Sequence, residues 1–486
     1  MFKTLQKTFN QDKDFPERAF RIQVLQRVLA GTLYDELQHA FGKEKNDAEE
    51  YIPLRERRPS VRSNLCRTVV DDSVSLLFSE AHFPSVELKD EGQKKALQKL
   101  IKESALNQVM IDAATHGSVG SAAILFKVLS KRVFFEVMDT SYLTPTWNPK
   151  APDTLQAVTE LYKVSGASLR ATGYTIADDD LKADFWFQRV WDQAAETWFT
   201  PWKVAEAKLK PVVPKPDKKR TVKHDLGFVP VVWIKNLPGG DAIDGLPTFP
   251  NEAIETQIEI DYQLSQAGRG LKYTSDPTLL IKEPLFGNKG ATVKGAANAL
   301  IVSEQGDAKL LEINGTGAAA VLEYVKHLRE IALETMHGNQ TSPEKMATAQ
   351  SGRAMEIMQG ALINLADRLR ISYGEGALLE LICMIAKASQ AFALVFKDGE
   401  KVGKIDHKQG ISLRWPEWFP PTMSDMQMEA NTLHQLCNAG LLSRETAIKV
   451  LAAKYDIENP AAEKLLADAD MAERNAAAQV QAKIAE

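Results

Sequence analysis

A chain of 486 residues is longer than one hydrophobic core usually serves, and 44% hydrophobic with 25% charged residues is a globular composition, which excludes a disordered polymer. With 59 basic against 64 acidic side chains the net charge is −5, so the chain does not hold nucleic acid by wholesale neutralisation of phosphates. Cys66, Cys383 and Cys437 lie far apart with no pairing pattern and read as buried thiols of a protein made in a reducing compartment. The start, MFKTLQKTFNQDKDF, has no apolar core of signal-peptide length, and no stretch approaches the roughly 20 apolar residues that span a bilayer.

In chain order, Asp14-Phe15-Pro16 predicts a helix through Phe20, Val24, Val28 and Leu29, with the aspartate as cap and the proline in the first turn. A second helix is expected over about 63–79, with Val69, Val70, Val74 and Leu77 on its apolar side, and a third from Gln93 to His116, broken by Gly117 and Gly120. From Ser121 the period changes. AAILFKV, RVFFEVM, LQAVTELYKV, DFWFQRVW, ETWFTPWKV and VPVVWI are short, rich in β-branched and aromatic residues and separated by turns, which predicts a β-rich α+β region to about Asn236. Inside it, KLKPVVPKPDKKRTVKH (208–224) is a basic run of the kind that usually forms a solvated hairpin tip and only occasionally contacts phosphate.

A helix starts at Asn251, which can cap it, and is expected to end at Gly268 and Gly270. Residues 274–314 read as short strands and turns around the glycine-rich GNKGATVKGAANA. Another helix follows from about Thr316 to His337, then a polar stretch, then a long helix from Gly352 towards Phe392, softened at Gly374 and Gly376. ALVFKDGEKVGKI and ISLRW suggest a strand pair ahead of the proline-rich WPEWFPPTM. Beyond it the chain is helical, with Ser424 and Gln427 as a capping box and Ser443 as the next cap.

Motifs for chemistry do not hold together. Gly315-Thr316-Gly317-Ala318-Ala319-Ala320 lies between a strand and a helix as a pyrophosphate-binding turn does, but no second strand ending in an acidic residue follows at the required distance. In Gly290-Ala-Thr-Val-Lys-Gly295 two alanines stand where a phosphate loop needs lysine and hydroxyl. The eight histidines show no metal-ligand spacing, Glu87-Leu-Lys89 is a three-residue match of the sort chance supplies, and no serine sits in a glycine-flanked elbow. These readings predict no enzyme, no metal and no cofactor.

The helix from Thr316 to His337 is more informative. Val321, Leu322, Val325, Leu328, Ala332 and Met336 share one face at 3.6 spacing, while Glu323, Lys326, His327, Glu330, Glu334 and His337 form a stripe opposite. Two helices bracket a small β module, and the second leads into a polar loop and a very long helix.

That order, together with NLCRTVVDDSVSLLF, HGSVGSAAILFKV, DTSYLTPTWN, HDLGFVPVVWIKN, NEAIE, GNQTS…QSGRAMEIM, WPEWFPP and NAGLLSRETA in collinear sequence, resembles the portal proteins of tailed bacteriophages over nearly the whole chain. The resemblance implies an α+β fold of portal type: an N-terminal helical arm (1–60), a mixed α/β wing (61–248), a first stem helix (249–273), a small β-rich clip (274–315), a second stem helix (316–337), a tunnel loop (338–352), a long wing helix with a strand pair (353–417) and a helical crown (418–486). It further implies a homododecameric ring around a channel for double-stranded DNA, bound without sequence preference. The channel would be lined by tunnel-loop residues Asn339, Gln340, Thr341, Ser342, Glu344 and Lys345, with the stem stripe Glu323, Lys326, Glu330 and Glu334 facing it. Lys282, Glu283, Asn288, Lys289 and Lys294 would belong to the clip, which docks the terminase large subunit and later tail adaptor proteins. Major capsid and scaffolding proteins complete the implied partners, with the virion's portal vertex as location and the host cytoplasm during assembly. The rival readings are another phage head–tail protein such as an adaptor, and a nucleotide-dependent enzyme built on the Gly315 turn.

Overall fold

The β-branched and aromatic runs between Ser121 and Lys235 fold into two antiparallel sheets. They are seen in a computed structural model that describes residues 1–275, 278–284, 302–311, 316–338, 352–419, 423–452 and 459–485. The chain divides into two units, Met1–Gln340 with Gln359–Pro416, and Thr341–Met358 with Glu417–Glu486. Both sheets belong to the first.

The three-stranded sheet places Ser121–Leu129 between Val231–Lys235 and Arg132–Met138. The central strand is a continuous apolar run because its first six residues are buried on both faces, where alternation has no use. The larger sheet runs, in spatial order, Val222–Lys223, Ala195–Trp198, Asp184–Asp192, Ala151–Ser165 and Leu143–Asn148, with Trp202–Lys203 also paired to Asp184–Asp192. Ala123, Leu125 and Met138 from one sheet and Leu143, Val158 and Trp191 from the other close a common core. Leu65–Phe78 buries Val69, Val70, Val74 and Leu77, the four positions its periodicity marks.

Several local expectations yield to packing. Asp14 does not cap the first long helix, which runs Glu17–Ala30 behind Pro16. Its carboxylate lies 2.6 Å from Lys163 and 3.2 Å from Lys208, and the Lys163 ammonium holds it below the usual carboxylate range. The third helix is two, Glu91–Glu103 and Leu106–Gly117, because Ala105 turns into the left-handed region (φ 52°) so that Leu100 and Leu106 can both be buried. The helix from Asn251 runs through Gly268 and Gly270 to Ser275. The expected strand pair near residue 400 is a single bridge, Val395 to Lys401, and Ser412–Arg414 pairs instead with Ser85–Glu87, more than three hundred residues away in sequence. Of the cysteines Cys66 is buried, whereas Cys383 and Cys437 are half-buried.

Around Gly374 the long helix is not α-helical. Arg370–Leu378 forms a π-helical segment between Gly360–Leu369 and Leu379–Ala391. The Trp415 ring fits against Gly374 so closely that a Cβ there would lie 2.3 Å from the indole. Arg370 stacks over the same ring at 4.6 Å, its guanidinium pulled down to about 10 by burial. One residue before Gly374, the fully buried Tyr373 donates its hydroxyl to Asn236 Oδ1 at 3.0 Å, which ties this segment to the three-stranded sheet.

One carboxylate gathers most of the side-chain hydrogen bonds that fasten the helix Glu17–Ala30 to the sheets, beside Gln23 to Tyr142 and Gln26 to Asp139. Asp244, almost wholly buried, accepts from Arg18 Nε and Nη2 (both 2.8 Å), Arg21 Nη2 (2.9 Å) and Ser121 Oγ (2.7 Å). Arg18 Nη1 donates to the carbonyls of Thr140 and Leu143.

In the second unit, Met423–Asn438, Arg444–Ala452 and Pro460–Ala485 are helices. Ser424 lies inside the first turn and not at its cap, whereas Ser443 Oγ does accept from the Thr446 amide at 3.1 Å. Arg444 pairs with Asp468 at 3.1 Å. Among the described residues of this unit Ala447 alone is a buried apolar side chain, and Leu465 is 72% exposed.

Candidate functional site

The helices Asn251–Ser275 and Thr316–Thr335 pack on each other, joined by an antiparallel pair, Thr278–Pro284 with Val302–Leu311, in which Lys282 faces Asp307. Their bases are rooted differently from their outer turns. The first helix buries Ala253, Ile254, Ile258, Ile260 and Tyr262, and carries three polar residues at i, i+4 and i+8 into that buried face: Gln257, Asp261 and Ser265.

These three form a ladder along the extended segment that leads into Leu65–Phe78. Gln257 Oε1 accepts from the Cys66 amide (3.0 Å), satisfying a first-turn N–H that has no partner within its own helix. Asn64 Oδ1 accepts from the Arg67 amide (3.3 Å), so side chains satisfy both donors. Asp261 accepts from the Ser63 amide (2.7 Å), Ser63 Oγ (2.8 Å) and Tyr34 OH (2.8 Å). Ser265 Oγ accepts from the amides of Ser60 and Val61 and donates to the Asp261 carbonyl. Burial pushes the Asp261 carboxyl above its ordinary range despite the three donors, and burial pushes the Tyr34 phenol up as well. No motif in the sequence marks the ladder. Its signal was there, as polar side chains four apart on the apolar side of a helix.

The second helix ends as its sequence predicts. His337 adopts the left-handed conformation (φ 55°), and the Gly338 amide returns to the Leu333 carbonyl at 2.7 Å, which closes the last turn. Glycine is required at 338 for space, since a Cβ would lie 2.8 Å from Val69 Cγ2. Ala332, Leu333 and Met336 are buried at this end, while Val321, Val325 and Leu328 are half-buried. Leu322, assigned from periodicity to the packed face, is 53% exposed, and Tyr324 and Ile331 are 47% and 41% exposed. Glu323, Lys326, Glu330 and Glu334 are all exposed.

At about 100° per residue, the circuit around this helix has four sectors. The packed face comes first, then the exposed Arg329, Leu322 and the buried Leu333, then the charged stripe, then Ile331 and Tyr324. The stripe is therefore bordered on both sides by apolar side chains, Leu333 with the exposed Leu322 on one and the exposed Ile331 and Tyr324 on the other.

The chain matches the family described as phage portal protein, SPP1 Gp6-like, over residues 11–475. It belongs to that family. A portal protein is a structural component of the phage virion, and the mixed helix and sheet of this chain is of the α+β class. Among curated proteins there is no match. Among solved structures, a chain of the "Neck of empty GTA particle computed with C6 symmetry" is 12% identical over 78% of this chain and 88% of that chain, with a TM-score of 0.36, too slight a likeness to bear on the fold.

Of the portal residues singled out in the sequence, Glu323, Lys326, Glu330 and Glu334 share one exposed stripe, and Lys282 and Glu283 lie on the strand that follows the first helix. Asn339, Gln340, Thr341, Ser342, Glu344, Lys345, Asn288, Lys289 and Lys294 lie outside the described residues, as does Gly315. Among the described residues no group of His, Cys, Asp and Glu is placed to hold a metal ion, and no helix is long and apolar enough to cross a membrane.

Proposed function

We infer that copies of this chain close into a ring, twelve by family resemblance, that conducts double-stranded DNA through its axis during packaging and ejection. The observation that carries this reading is the four-sector helix Thr316–Thr335. A cyclic ring is built from heterologous contacts in which each subunit offers two different surfaces. A lumen-facing stripe must then be bordered on each side by surface that a neighbour covers, and Leu322 on one side and Tyr324 with Ile331 on the other supply it. A stripe of mixed sign suits a conduit. Duplex DNA carries about one charge per 1.7 Å of axis, so a strongly cationic wall would retain it, whereas Glu323, Lys326, Glu330 and Glu334 together leave the DNA free to slide.

In this reading residues 249–273 and 316–337 are the stem, 274–315 the clip, 338–352 the tunnel loop at the channel's narrow point, 61–248 with 353–417 the wing, and 418–486 the crown. The clip docks the terminase large subunit, whose ATPase supplies the force, and later the tail adaptors. The wing and crown meet capsid and scaffolding proteins as the head assembles in the host cytoplasm. The second unit fits a ring too: helices with so little buried apolar surface of their own gain it from neighbouring copies.

Negative-stain micrographs of the purified protein are expected to show rings with an axial hole. Lone molecules at every concentration and salt tried would reject the reading. Replacing both Lys326 and Lys345 by glutamate is expected to lower packaged DNA per particle several-fold, through repulsion of the phosphates at two levels of the channel. An unchanged yield would remove these residues from its wall.

A further inference from the structure

We propose that the basic edge of the six-stranded sheet is a second DNA-binding surface, on the outside of the wing and separate from the channel. Val222–Lys223 is the terminal strand of that sheet, and the run preceding it carries most of the local cations. They fall into two groups. Lys203 pairs with Asp180 at 2.8 Å and Lys208 with Asp14 at 3.2 Å; Arg220 lies over Tyr174 at 3.8 Å and donates to the Thr172 carbonyl at 3.1 Å. Those hold the edge to the body of the unit.

Lys210, Lys215, Lys218, Lys219 and Lys223 are exposed and have no side-chain partner among the described residues. In a chain of net charge −5 they form a local excess of positive charge with only Asp217 among them. Pro211, Pro214 and Pro216 fix φ and remove backbone donors, so the run cannot fold back into a helix that would bring the lysines to acidic neighbours. Like charges gathered this closely cost free energy unless an anion screens them. Protein interfaces are depleted in lysine, whereas phosphate surfaces are contacted chiefly through lysine and arginine, so duplex DNA is the fitting partner. Leu209 and Val213, exposed on the same run, are what an acidic protein partner would cover, and that is the competing outcome. In a ring every copy presents the edge, and weak contacts add by multivalency.

The test uses a covalently closed, relaxed circular duplex, which cannot thread a closed ring and so reports outer surfaces alone. Binding by the assembled protein is measured against salt concentration for the wild type, for K215A/K218A/K219A/K223A, and for K401A/K404A as a control of equal kind. The expected result is a quadruple variant that assembles normally, binds the circle at least tenfold more weakly at low salt, and shows a log–log salt slope flattened by about 3, the loss of three to four phosphate contacts. The control retains the wild-type slope. Equal binding of the circle by wild type and quadruple variant overturns the proposal. So does edge-dependent binding of poly-L-glutamate with none of the circle, which would make the edge a docking site for an acidic protein. The proposal rests on the ring reading for the edge's outer position, for multivalency and for the choice of probe, while the lysine dependence of binding does not. Failure of the ring appears separately, as absence of rings in micrographs, with the lysine dependence intact.

Discussion

Replacing Asp244 by alanine is expected to lower the stability of the first unit by about 3–5 kcal/mol, the range for removing one partner of a buried ion pair. Two guanidinium groups converge on this carboxylate, and without it Arg18 keeps only the Thr140 and Leu143 carbonyls, which its Nη1 already serves, and a long contact from Nη2 to Ser121 Oγ at 3.4 Å. Alanine therefore leaves the half-buried Arg18 cation without its carboxylate and the Ser121 hydroxyl without its acceptor. Asp244→Asn keeps the shape and one acceptor, and should cost roughly 1–3 kcal/mol because the charge-assisted part is lost while the hydrogen-bonding skeleton persists. Denaturant unfolding followed by tryptophan fluorescence is the measurement. Trp233 lies 5.6 Å from the Arg18 guanidinium and donates to the Ile243 carbonyl, next to Asp244, so it reports on the right neighbourhood. An alanine variant within 1 kcal/mol of wild type would show that the cluster does not fasten the N-terminal helix.

Asp261→Ala removes the acceptor of three buried donors and is expected to cost about 2–4 kcal/mol, since each buried donor left unpaired costs about 1–3 kcal/mol and Tyr34 can partly reorient. In the ring reading the consequence is specific. The stem helix loses its hold on the segment entering Leu65–Phe78, and assembly should fall with stability. The pH dependence separates carboxyl from carboxylate. Burial raises the folded-state pKa of Asp261 above its ordinary value of 3.8, so between those two values the folded chain holds a proton that the unfolded chain has lost. The contribution of this group to stability is complete below the unfolded value and is lost as pH rises through the folded one. Asp261→Asn, which does not titrate, should thus lie nearest to wild type at neutral pH and fall progressively behind as pH is lowered through that window. A gap that widens with rising pH would mean that the three donors outweigh burial.

Portal membership and much of the secondary structure were legible in the sequence. Arg132–Met138 and Thr278–Pro284 are strands at the residues their composition marks, and the helix that closes at His337-Gly338 does so by local hydrogen bonds. The charged stripe follows from a period of 3.6 residues. Such features depend on neighbours a few positions away, and a sequence displays those neighbours directly. What only the tertiary structure decided are the pairings across long separations: Asp14 with Lys163, Ser412–Arg414 with Ser85–Glu87, Gly374 under Trp415, and Asp261 with Ser63 and Tyr34. At Gly374 and Asp261 a local preference worth a few tenths to about 1 kcal/mol meets a buried contact worth more, and the contact prevails. The choice of neighbour is made by the packing of the whole unit, and no window of the chain contains it.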